Sequence, residues 1–83
     1  MITLRIHKEN SDYVVKRISN QNADQYSVHS AESLYESLFH LGRKMHISNI
    51  HFNIPHDLKS KLISFLSVEF PAELYDYHIK IID

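Results

Sequence analysis

The sequence contains no cysteine, which removes disulfides, thiolate metal sites and a cysteine nucleophile together. It contains a single glycine, Gly42. Gly-rich phosphate loops need several glycines so that the backbone can approach the phosphates closely, so loops of that type are excluded. No apolar stretch approaches the ~20 residues that span a bilayer. The opening Met1-Ile2-Thr3-Leu4-Arg5-Ile6-His7 alternates apolar and polar side chains, whereas a secretory leader carries a continuous apolar run. These features lead us to expect a cytoplasmic product that makes no use of a membrane. Excess charge of one sign is also missing: the formal net charge is -1, giving no global attraction to polyanions. The balance is uneven along the chain, because Lys80 stands against Glu69, Glu73, Asp76 and Asp83 after residue 66.

The 83 residues are enough for one domain and too few for two. A hydrophobic fraction of 43% is ordinary globular usage. Repeats, low-complexity tracts and linker-like segments are absent.

Residues 2–7 read as a strand with Ile2, Leu4 and Ile6 on one face. A polar turn over 8–12 leads to a second strand, 13–18, which is rich in aromatic and β-branched residues. The two form an expected antiparallel hairpin whose register is open, since neither face of the second strand is cleanly apolar. Residues 25–29 give a short third strand. Ser30 is a good N-cap, and Glu32 lies in the first turn where the helix dipole favours an anion. Ala31, Leu34, Tyr35, Leu38 and Leu41 then follow helical spacing, and Gly42 is placed to end the helix in the left-handed conformation. Ile50, Phe52 and Ile54 alternate with polar residues in a strand over 48–54, which Pro55 breaks. A second helix is expected from about Asp57 to Glu69, with Leu58, Leu62, Phe65 and Leu66 in one stripe that Ile63 widens, predicting deep burial. Phe70-Pro71 stops it, and Tyr77, Ile79 and Ile81 alternate in a closing strand. The order β-β-(β)-α-β-α-β predicts an α+β two-layer sandwich, with two helices on one face of a four- or five-stranded mixed sheet.

Seven histidines are the most conspicuous reactive side chains. None shows the His-x-His or His-x3-His spacing of a metal site, so no metal or cofactor is assigned. His51 and His78 lie on predicted strands opposite the apolar set, and a metal or hydrolytic site there is the least favoured reading. Glu32 and Glu36, or Glu73 and Asp76, read as solvated charge rather than catalytic pairs. There is no Gly-x-Ser-x-Gly elbow, and a domain this small has little room for a catalytic pocket, so an enzyme is not expected.

Two binding readings stay open. Arg5, Lys8, Lys16 and Arg17 fall on the first hairpin, where a basic sheet face could bind single-stranded nucleic acid. The favoured reading rests on the aromatics Tyr13, Tyr26, Phe39, Tyr75 and Tyr77, some of which do not fit the core stripes. Aromatics outside a core are common interface anchors, and Tyr13, Phe39, Tyr75 and Tyr77 are the candidate partner-binding residues. The expectation is a non-catalytic protein-binding or regulatory domain with a protein partner or a second copy of itself. By analogy of size alone, it belongs with adaptors and with antitoxin-like or phage-type inhibitors.

Overall fold

A computed structural model describes residues 2–75 and 79–82 of the chain. Five strands form one sheet in the order β3-β2-β1-β4-β5. They are β1 (Ile2–Glu9), β2 (Asp12–Ile18), β3 (Ala23–Val28), β4 (Ile47–Asn53) and β5 (Lys80–Ile82). The helices are α1 (Ala31–Lys44), α2 (His56–Glu69) and the short α3 (Pro71–Tyr75). The architecture is the expected two-layer α+β sandwich on a mixed sheet. β1 pairs antiparallel with β2 and parallel with β4, β2 pairs antiparallel with β3, and β4 pairs parallel with β5. β2 therefore runs against the other four strands.

The hairpin register is set by its turn. Glu9 pairs with Asp12, which leaves Asn10-Ser11 as a two-residue loop. Asn10 takes φ 58, a left-handed conformation that asparagine tolerates better than most residues. Ile6 then faces Val15, and Leu4 faces Arg17. Leu4, Ile6, Val15, Ile50 and Phe52 are all buried on the side that meets the helices. Val14 is also buried, at 4% exposure, yet it stands outside the core cluster because it faces the opposite side, between His7 and Ser27. Burial of both valines explains why alternation along β2 is not clean.

Ser30 caps α1 by accepting a hydrogen bond from the Ser33 N–H at 3.1 Å. Leu34, Leu38 and Leu41 are buried against the sheet, as their spacing predicts. Gly42 does not end the helix. α1 continues to Lys44, and Gly42 has no positive φ. A β-carbon there would lie 2.5 Å from Cζ of Phe70, so the absent side chain makes room for a ring. α2 is less buried than its apolar content predicts: only Leu62 and Leu66 are buried, and Val68 is 74% exposed. Phe70 does stop α2, but Pro71 opens α3, consistent with the preference of proline for a first helical position. No helix of the described residues is long and apolar enough to cross a membrane.

Candidate functional site: an aromatic groove between the two long helices

Because α1 and α2 lie side by side on one face of the sheet, each has a flank turned to the other rather than to the strands. Tyr35 and Phe65 meet there edge to face, with ring centroids 5.1 Å apart. Both rings are half-buried. Two depressions open on either side of this pair. One, of about 270 Å3, is lined by Tyr35, Glu36, Phe39, His40 and Phe65. The other, of about 520 Å3, carries Ser60, Lys61, Ser64, Val68 and Glu69 beside the same two rings. The pair therefore stands between the two depressions and lines both, with Phe39 beside one and the exposed Val68 beside the other.

Phe39 is held in place from three sides. Its ring centroid lies 6.1 Å from that of Phe70 and 5.9 Å from that of His40. The Arg43 guanidinium lies 5.2 Å from the ring centroid, within cation–π reach. The phenyl group is therefore packed at the edge of the smaller depression, and docking a partner against it would cost little side-chain entropy at Phe39.

The other sequence candidates are scattered. Tyr13 is half-buried at the hairpin end, packed against the core and facing Lys8 and Val28 in the strand register. Tyr77 and the Tyr75 side chain lie outside the described residues, as does His78. Tyr26, on the edge strand, is hydrogen-bonded to Ser37 of α1. Sequence reasoning places Tyr35 and Phe65 in the helical stripes rather than among the binding candidates, and it does not single out Val68.

The register also divides the basic hairpin. Arg5 faces Lys16 on the side of the sheet without helices. Lys8 and Arg17 occupy the alternate positions, on the helix side. There Arg17 donates from Nε to Asp24 Oδ1 at 3.1 Å and also pairs through its terminal nitrogen. That hydrogen bond, with the attraction of the carboxylate, raises the Arg17 pKa and keeps the guanidinium charged. His51 faces Arg5 across β1 and β4, and Ile82 across β4 and β5. Among the described residues no three His, Asp or Glu side chains converge on one point. Compared with known proteins, the chain matches no family model and no curated sequence.

Proposed function

We propose that this chain is a non-catalytic protein-binding domain, adaptor- or inhibitor-like, that seats apolar side chains of a protein partner in the α1–α2 groove. The observation that carries this reading is the Tyr35–Phe65 pair, half-buried and shared by two adjacent, largely apolar depressions. Rigid aromatics in a depression supply large contact area at low entropic cost, which is the usual chemistry of an interface anchor. A polar rim of Glu36, His40, Lys61 and Glu69 surrounds them. The partner segment that fits is an amphipathic helix or an extended stretch with apolar residues spaced along one side.

The test is a paired capture from nuclease-treated native lysate. Wild type, Phe39→Ala, Phe65→Ala and the sheet-face double variant Arg5→Ala/Lys16→Ala serve as baits, each checked for an unchanged melting profile. A partner retained by the sheet-face variant and lost by both groove variants supports the reading. Affinity for that partner should fall roughly 5- to 150-fold in each groove variant, since truncated anchors cost on the order of 1–3 kcal/mol. Equal retention by all four baits refutes it.

A further inference from the structure

Neither long helix lies on the face of the sheet that carries Arg5 and Lys16, and its register brings polar side chains into rows. One row across the strands is Gln25, Lys16, Arg5, His51 and Ile82. A second is Ala23, Ile18, Thr3, Asn49 and Lys80, and a third is Ser27, Val14, His7 and Asn53. These three rows contain no Asp or Glu. Glu9 and Asp12 form the next row of the same face, at the hairpin end, and each lies against a histidine ring. Glu9 lies 3.4 Å from His7, and Asp12 lies 2.9 Å from His29. Arg5 is exposed, and among the described residues neither its guanidinium nor the Lys16 ammonium makes a side-chain hydrogen bond or ion pair. Beside Arg5 a shallow depression of about 400 Å3 is lined by His7, His51 and Asn53.

We propose that this face binds the sugar–phosphate backbone of a single-stranded nucleic acid, with a phosphate seated over Arg5 between Lys16 and His51. Charge complementarity selects the ligand: around Arg5, Lys16 and Lys80 the three rows carry cations and no acid, the acids of this face standing at its hairpin end, and guanidinium matches phosphate by paired hydrogen bonds. The hydroxyl and amides of Thr3, Gln25, Asn49 and Asn53 flank that centre and can bond to phosphates and base edges. An acidic peptide fits less well. Among the described residues the face offers its uncharged side chains little apolar surface, since Val14 is buried and Ile18 and Ile82 are half-covered. A duplex fits less well too, because neither long helix lies on this face to enter a groove. With no Phe, Tyr or Trp in the three rows, base stacking contributes little, so binding is mainly electrostatic and tolerant of sequence. The proposal is independent of the α1–α2 groove.

Fluorescence anisotropy of a labelled oligothymidylate and an oligouridylate tests it, with oligoglutamate as competitor. Two or three phosphate contacts predict about a tenfold loss of affinity between 50 and 200 mM salt, from a single-strand slope of roughly −0.7 per contact. Arg5→Ala/Lys16→Ala should abolish binding, Lys80→Glu should weaken it, and Lys44→Ala at the exposed end of α1 should leave it unchanged. The residues changed on the sheet face are exposed or half-exposed, and equal melting profiles establish that each variant folds. The proposal is overturned by an absence of binding at low salt, by binding that survives the double variant, or by oligoglutamate displacing the probe more effectively than unlabelled oligonucleotide. The last result would assign the face to an acidic protein segment instead.

Discussion

Replacing Gly42 with alanine should destabilise the domain, although the same change in a helix interior usually stabilises. Removing a mid-helix glycine ordinarily gains about 1 kcal/mol. Here the new methyl would lie 2.5 Å from Cζ, 2.8 Å from Cε2 and 3.0 Å from Cε1 of Phe70. Ordinary carbon contacts are near 3.5–4.0 Å, so the ring must retreat by about 1 Å. It has little freedom to do so. Phe70 is only 7% exposed, its N–H is tied to the Leu66 carbonyl at 2.8 Å, and Pro71 restricts its backbone from the other side. Overpacking of this kind costs roughly 1–3 kcal/mol, which outweighs the propensity gain. A net loss of about 1 kcal/mol corresponds to a Tm lower by roughly 4–8 °C in a domain of this size. Thermal denaturation followed by circular dichroism reads the shift directly. Phe70→Leu shortens the side chain, so its cost and that of Gly42→Ala should combine to less than their sum. A Gly42→Ala protein that melts at or above wild type would refute the packing argument and return Gly42 to the role of a replaceable helix residue.

Two further substitutions test local devices of the fold. Ser30→Ala removes the acceptor for the Ser33 N–H and should cost about 1 kcal/mol, measurable by urea denaturation with an unchanged m-value. Asn10→Ala places a β-carbon without a compensating polar group at φ 58 and should destabilise by roughly 1 kcal/mol, whereas Asn10→Gly should be neutral or better. If alanine and glycine at position 10 melt together, the left-handed backbone at Asn10 carries no strain that a β-carbon aggravates.

The elements of this fold were legible because most have one dominant stripe. Ile2, Leu4 and Ile6 alternate, Leu34, Leu38 and Leu41 repeat at helical spacing, and Ser30 marks a start that the structure uses. Legibility failed where one residue type serves two purposes. Gly42 reads as a helix terminator, but it is a packing site for a ring contributed twenty-eight residues later, which no local pattern reveals. Val14 and Val15 are adjacent and both buried, so only the two-residue turn decides which faces the helices. The groove was half legible. Phe39 stood out because it falls beside Leu38 and off the stripe. Tyr35 and Phe65 sit on helical stripes, and periodicity does not distinguish a side chain pointing at the sheet from one pointing at the neighbouring helix. The basic hairpin shows the same limit. Its charges are obvious in sequence, but their division between Arg5 and Lys16 on one face and Lys8 and Arg17 on the other follows from register alone.

The most direct test of the protein-binding account is an amide and aromatic NMR footprint of the isotope-labelled domain, titrated with the captured partner. The account predicts that shifts and line broadening concentrate on Tyr35, Phe39, Phe65 and Val68, while Arg5, Lys16 and Asn53 on the opposite face are unmoved. A footprint confined to that opposite face or to the β3 edge, with the groove resonances unchanged, would contradict it.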